Sequence, residues 1–558
     1  MFSESILAFN RFKMKNIKTL SAAALFVALF TTSCNDVLEE YNPSGLTAEA
    51  VYSTPEGFES LVNAAYSYQR WWYGKEEGFN MTEMGTDIWI SAAGDVWPDL
   101  TTYTNLQGTN APITTEWREL YAAINLTNAG INRIEEAGFT PSMRSQREAE
   151  LRFLRAFYYY HIVETWGGVH FTLEESQGII TTANKTPVDT FYDQILTDLD
   201  FAVANLSTTT SDYGRVTKPA AMAFLARIYL TRKMYNEASQ MAESVINGGY
   251  GYELVSNYAD LWDMGNNQNS EIVYAVNYAE NLTLNDLRNS STNPLGHGRG
   301  SNNGHLHFLM KYDNLPGMTR AIEYGRPFNR YMPTRAFLDL FSEEDSRYEG
   351  SFMEVWYANS TNTPAGMAVG DTAVVATRST FTGSPGHVYQ VYNRNDIYNE
   401  NGTVRDNLRY PTLTKHMDNT RSSANEAQSS RDAFVIRFAE LYLIAAEAQM
   451  FLGDKQSAAD LINVVRTRAA KPGLEEAMKI TAEEVTLDFI LDERAREFAG
   501  EQLRWFDLKR TEKLVERVLS LNPDVTRVEP FHLIRPIPQA QLDAVTNREE
   551  FVQHQGYQ

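Results

Sequence analysis

Residues 214–249 read GRVTKPAAMAFLARIYLTRKMYNEASQMAESVINGG, and this stretch decides the fold. Thr217 stands where an N-cap belongs, with Pro219 in the first turn of a helix that runs to Leu230. A second helix spans Tyr235 to Ile246 and stops at Gly248-Gly249. The same plan returns at 435–469, VIRFAELYLIAAEAQMFLGDKQSAADLINVVRTRA. There an apolar helix from Val435 to Leu452 breaks at Gly453, and Ser457 to Ala469 is its partner. In both pairs a small residue comes five places after the turn, Ala238 after Lys233 and Ala458 after Gly453. Small residues there let two helices pack closely.

These pairs resemble the tetratricopeptide helix-turn-helix. Weaker copies lie at 117–166. Trp117 to Ala137 reads as one helix, and Glu148 to Trp166 puts Leu151, Leu154, Tyr158, Ile162 and Trp166 on one face before Gly167-Gly168. Thr481 and Glu484 have capping-box spacing for a helix through Ala499. The expected fold is therefore all-α, four tetratricopeptide-like helix pairs in a short superhelix. The clear pairs lie far apart in the chain, so a mixed insertion separates them. Glu271 to Tyr278 reads as a strand. Asn281 to Gly304, Asn359 to Gly386 and Asp418 to Ser430 are rich in loop-forming residues. This loop-rich insertion is expected to carry the site.

Near the N-terminus stands Cys34, the one cysteine of 558 residues. Arg11, Lys13, Lys15 and Lys18 precede the apolar run Leu20 to Phe30, then Thr31-Thr32-Ser33-Cys34. A basic segment, a short apolar run and small residues mark a secretory signal peptide. The run is too short to span a bilayer, which takes about 20 apolar residues. A lone cysteine at the cut is expected to carry lipid, as in a bacterial lipoprotein. Met14 opens this leader more directly than Met1. The expected organisation is a signal peptide over 1–33, an acidic tether over 34–45 and one domain over 46–558.

The formal charge is −22. That excludes a nucleic-acid partner, whose phosphates call for Lys and Arg patches. No intrachain disulfide is possible, so stability comes from core burial.

A search for catalytic or metal chemistry returns nothing specific. Asp492, Glu493, Arg494, Arg496, Glu497, Glu501, Arg504, Asp507, Lys509 and Arg510 crowd one segment. Glu493 and Glu497 lie four apart on one helix face, and Arg496 and Arg504 are expected to neutralise them in a structural ion-pair network. His305-x-His307 has no third ligand at metal spacing, and 263–271 lacks the pattern of a calcium loop. No G-x-S-x-G is present. No enzyme, metal or cofactor is expected.

Tryptophans give the stronger signal. Four of the nine, Trp71, Trp72, Trp89 and Trp97, fall between residues 71 and 97, among Asp87, Asp95 and Asp99. Flat aromatics fit the C–H faces of sugar rings, and acid and amide groups fit the hydroxyls. The competing reading is core packing, most of all for Trp89 between Ile88 and Ile90.

Four segments together resemble the SusD/RagB family of outer-membrane lipoproteins. They are EAELRFLRAFYYYHIVETWGG (148–168), GRVTKPAAMAFLARIYL (214–230), the 435–469 pair, and a C-terminal part. The last comprises ILDERAREFAGEQLRWFDLKR (490–510), LIRPIP (533–538) and Gln555-Gly556-Tyr557. The resemblance covers nearly the whole chain after Cys34. It implies a surface-exposed, non-enzymatic protein that binds an oligosaccharide or polysaccharide and delivers it to a SusC-like TonB-dependent transporter. It also places ligand residues in the 71–97 stretch and in the loops before Pro333-Thr334. Here those loops hold Asn289, His297, Arg299, Asn302, Asn303, His305, Tyr312 and Tyr324. The site expected is thus Trp71, Trp72, Asp87, Trp89, Trp97, Asn303, His305 and Tyr312. Peptide capture, a surface glycoside hydrolase and a ligand-free scaffold are the alternatives.

Overall fold

The structure, a computed structural model, describes residues 48–281, 302–383 and 388–557. Cys34, its leader and tether, and Asn289, His297 and Arg299 lie outside the described residues. Eleven helices carry the argument. They are α1 (Pro55–Ser67), α2 (Ala111–Arg133), α3 (Pro141–Trp166), α4 (Val188–Asn205), α5 (Lys218–Thr231) and α6 (Tyr235–Ile246). There follow α7 (Phe438–Leu452), α8 (Lys455–Ala469), α9 (Leu487–Phe498), α10 (Arg504–Arg510) and α11 (Leu514–Leu521).

From α2 to α8 each helix packs on the next, and α6 packs on α7 although residues 247–437 intervene. That is the helix-pair array the repeat predicts. The local causes match too. Thr217 caps α5, its side chain accepting the amide of Ala220, and α7 ends at Gly453 with φ 92°. Ala238, Ala242, Ala458 and Ala459 are fully buried, so neighbouring helices approach without a bulky side chain between them.

Four readings change. Val435–Arg437 is strand, not helix: β9 (Ala433–Arg437) pairs antiparallel with β2 (Ile272–Val276), where β-branched residues on both strands pack flat. The Thr481–Glu484 box forms but caps only a 3-10 turn, and Thr486 starts α9. Helix α4 is new, although Phe191, Ile195, Leu199 and Ala202 give it a buried stripe at helical spacing. The segment expected as loop over 359–386 contains β6 (Thr372–Ala376), which joins β5 (Val355–Tyr357) and β7 (Val388–Tyr392) in one small sheet. Two further antiparallel pairs are β4 (Phe352–Met353) with β8 (Thr412–Leu413), and β1 (Trp89–Ser91) with β3 (Tyr331–Pro333), the latter tying the N-terminal tryptophan stretch to the insertion.

The charged run on α9 is a buried ion network. Glu497 meets Arg347 (3.0 Å), Arg437 (2.9 Å) and Arg468 (2.6 Å), and Glu493 meets Arg347 (2.7 Å), Arg466 (2.8 Å) and Arg496 (2.7 Å). Glu501 holds Arg437 at 2.7 Å and Lys415 at 2.9 Å. Arg496 neutralises Glu493 as expected. Arg504 does not: it forks onto Asp87, with Nε at 2.7 Å and Nη2 at 2.5 Å. The network joins α8, α9, β9 and the 345–347 turn, four places distant in sequence.

Two core histidines make the fold sensitive to acid. Burial pushes His161 down to about 3, against a hydrogen bond to the Phe157 carbonyl, and burial, with the Arg421 guanidinium, pushes His305 down to about 3. Their folded pKa lies below the ordinary 6.5, so their contribution is complete above pH 6.5 and is lost as pH falls toward 3. Each costs about 1.4 kcal/mol per pH unit across that window. Melting temperature plotted from pH 7 to 4 is expected to fall more steeply for wild type than for His161→Phe. Equal slopes would show that His161 does not titrate on unfolding.

Candidate binding face

The site grows from the end of β1. After Ser91 the chain turns back on the segment that leads into β3. The Gly94 amide donates to the Asn329 carbonyl at 2.7 Å, and the Ala92 amide to the Arg330 carbonyl at 2.8 Å. Only glycine fits at 94, since a Cβ there would meet the Phe328 carbonyl oxygen at 2.1 Å. The Asp95 carboxylate then accepts the Trp97 amide (2.9 Å) and the Ser91 hydroxyl (2.5 Å). This fixes the turn. Trp97 packs one side on the core and keeps the other half-exposed, next to Val96 at 48% exposure.

Beside this turn runs RPFNR, residues 326–330. The guanidiniums of Arg326 and Arg330 each lie 5.1 Å from the ring centroid of Phe328. Arg330 also donates to the Gly94 carbonyl and pairs with Glu76 at 2.7 Å. Burial pushes the Glu76 carboxyl up to about 7 even so. Arg326 donates to the Asn425 carbonyl at 2.8 Å, and Arg320 to the Asn425 side chain at 2.7 Å. Arg320 is held in turn by Asp313 at 2.8 Å. At the far end the Tyr357 amide donates to the Tyr324 hydroxyl at 3.1 Å, leaving the Tyr357 side chain 50% exposed. The Trp97 turn thus lies beside the Arg330–Phe328–Arg326 stack, with Arg320 and the Asn425 amide next along it and Tyr357 exposed beyond Tyr324. That is chemistry for ring stacking and for donating hydrogen bonds to hydroxyls.

Most of the residues expected at the site lie beneath it. Trp72 is buried, stacked on Phe506 at 6.2 Å and edge-on to His161 at 4.7 Å. Trp89 is buried between Phe308 (4.8 Å) and Phe337 (5.6 Å). Asp87 is buried under Arg504 and Arg517, the latter at 2.8 Å. Burial raises its pKa, but the two guanidiniums outweigh that and hold the carboxyl below the usual range. Asn303 is buried and accepts the Glu76 amide at 3.1 Å. His305 is buried, its Nε2 3.3 Å from the Glu426 carbonyl oxygen, and Tyr312 is buried, donating to the Gly325 carbonyl at 2.6 Å. These six are corrected from ligand contacts to supports. The polar residues that interleave the aromatics serve buried arginines and backbone amides rather than solvent.

Trp97 alone of the eight belongs to this face. Trp71 is half-buried at the end of the 3-10 turn Tyr68–Trp71, with the Lys75 ammonium 5.9 Å from its ring centroid. Arg320, Arg326, Phe328, Arg330 and Tyr357 escape the sequence reading. The one signal for them is the alternation of arginine and phenylalanine in 326–330, just before Pro333-Thr334. Among the described residues no group of His, Cys, Asp or Glu is placed to hold a metal, and no helix is long and apolar enough to cross a membrane.

The fold is a helical-repeat scaffold whose insertion meets the N-terminal tryptophan stretch through the β1–β3 pair. A family model described as "SusD family" matches residues 270–557, and one described as "Starch-binding associating with outer membrane" matches 36–230. The chain belongs to the SusD family. It is 24% identical over 552 residues to SusD-like protein P25 of Formosa agariphila, covering 93% of this chain and 95% of that one. It is 24% identical over 219 residues to the starch-binding protein SusD of Bacteroides thetaiotaomicron, covering 36% and 38%. Among solved structures, surface glycan-binding protein A from Bacteroides thetaiotaomicron in complex with laminarihexaose superposes with TM-score 0.65 at 21% identity, covering 90% and 99%. A laminarin-binding SusD-like protein superposes with TM-score 0.64 at 22% identity, also covering 90% and 99%.

Proposed function

We propose that this protein binds an extracellular oligosaccharide or polysaccharide at the outer membrane and passes it to a SusC-like TonB-dependent transporter, without catalysing a reaction on it. The observation that carries the reading is Trp97, held half-exposed by Asp95 beside the Arg330–Phe328–Arg326 stack. Relatives named for binding starch, laminarin and laminarihexaose support it. The anchor is lipid on Cys34, and residues 34–45 are the tether to the domain.

Trp97→Ala is expected to weaken binding about 10- to 100-fold, the loss of one stacking platform. Because the ring also packs on the core, a modest fall in melting temperature is expected, smaller than for a fully buried tryptophan. Isothermal titration against starch, laminarin and their hexasaccharides, with a peptide pool as control, reads the result. Unchanged affinity in the variant removes this face from the site, and binding confined to the peptides replaces the ligand class. Cys34→Ala is expected to move the protein from the membrane fraction to the soluble one. A variant that stays membrane-bound overturns the lipid anchor. Co-purification of a TonB-dependent transporter with the anchored wild type tests the partner.

A further inference from the structure

A second concave surface lies on the same N-terminal segment, beyond Trp97. The helix Pro98–Thr102 follows that residue, a little over one turn and about 7–8 Å long. Past it the chain enters the left-handed region twice, at Tyr103 (φ 59°) and Asn105 (φ 55°). Non-glycine residues are seldom held there, and such strain gathers at binding sites. The 103–109 loop forms one wall of a groove of about 520 Å³, and residues 527–532 with the C-terminal Gly556-Tyr557 form much of the other.

The groove is built from both halves of sugar chemistry. Phe531 and Tyr557 are half-buried, their rings edge-to-face at 4.9 Å, and Tyr557 is pinned by its hydroxyl on the Ile534 carbonyl at 2.7 Å. The exposed side chains of Asn105 and Gln107 on the first wall, and of Arg527 on the same wall as Phe531, have no hydrogen-bond or ion-pair partner among the described residues. Behind Tyr103 the buried Arg535 guanidinium is stacked, 5.5 Å from the Tyr103 ring centroid and 4.8 Å from that of Trp505. It braces the strained turn from within. Aromatic edges with unengaged amides and a guanidinium, on a pre-formed wall, suit a neutral polyhydroxylated ring.

We propose that this groove is a second saccharide subsite, which engages glycan chains long enough to reach past the Pro98–Thr102 helix. The proposal rests on the glycan reading above. Two occupied subsites on one chain raise the affinity for long ligands without changing that for short ones.

The test compares long and short ligands of one linkage, starch with maltose and laminarin with laminaribiose, disaccharides too short to span both subsites. Phe531→Ala is expected to leave disaccharide affinity within twofold and to lower polysaccharide affinity about tenfold. Because Phe531 also packs on its neighbours, the double variant Gln107→Ala, Arg527→Ala, at exposed positions outside the left-handed region, carries the test if the first melts early. Wild-type affinity of the double variant for the polysaccharide overturns the subsite, and so does equal loss for both lengths. Trp97→Ala run alongside separates the two readings. If it binds normally while the groove variants lose the long chain, the Trp97 face fails and the groove stands. Wild type that binds none of the four overturns both.

Discussion

Glu497→Ala is expected to lower the melting temperature sharply while leaving glycan affinity unchanged in protein that remains folded. The carboxylate lies among Arg347, Arg437 and Arg468 at 3.0, 2.9 and 2.6 Å, the first two buried and the Arg468 side chain only 5% exposed. Burial alone would raise its pKa, but the three guanidiniums outweigh it and hold it at about 2. Removing it strands buried cations, and a broken buried pair costs roughly 3–5 kcal/mol. Replacing the whole network by apolar residues is a different experiment, since the desolvation cost would vanish with the charges. The sign with pH follows. A folded pKa depressed from 4.5 gives stability that is present above pH 4.5 and lost as pH falls toward 2. The gap between wild type and Glu497→Ala is therefore expected to be full at pH 7 and to narrow below pH 4. Normal melting with lost binding would place α9 in the site instead.

Trp72→Ala is expected to behave as the mirror image of Trp97→Ala. Trp72 fills the space between His161 and Phe506, and its carbonyl accepts the Gln502 side-chain amide at 2.7 Å. Truncation to alanine leaves a cavity the size of an indole in a packed interior, at a cost of about 3–5 kcal/mol. Thermal or denaturant unfolding should show the loss, and titration of the surviving folded fraction should show wild-type affinity. The pair of variants decides which tryptophan packs and which stacks. A Trp72→Ala protein that melts normally and loses its ligand would reverse the assignment made from burial.

The helix-pair array was legible because its causes are local. Thr217 ahead of Lys218-Pro219, Gly453 after Leu452, and Ala238 and Ala458 at the contact act within a few residues of themselves. Where a distant segment decides, the reading changes. The residues Val435–Arg437 continue an apolar helix by pattern, yet they pair with β2 because Ile272–Val276 offers a sheet edge.

The site divides in the same way. Sequence by itself determined that aromatics and acids crowd residues 71–97, whereas a part for the loops before Pro333-Thr334 was implied only by the family resemblance. Tertiary structure decided which of them reach solvent. Asp87 looked like a sugar ligand until Arg504 and Arg517, more than 400 positions away in the chain, closed on it (|i−j| 417 and 430). Trp72 and Trp89 were indistinguishable by composition from Trp97, but α10 and β3 cover the first two and leave the third half-exposed. A side chain's chemistry is written in its own residue, whereas its exposure is set by whatever packs over it, and that partner is supplied by the fold.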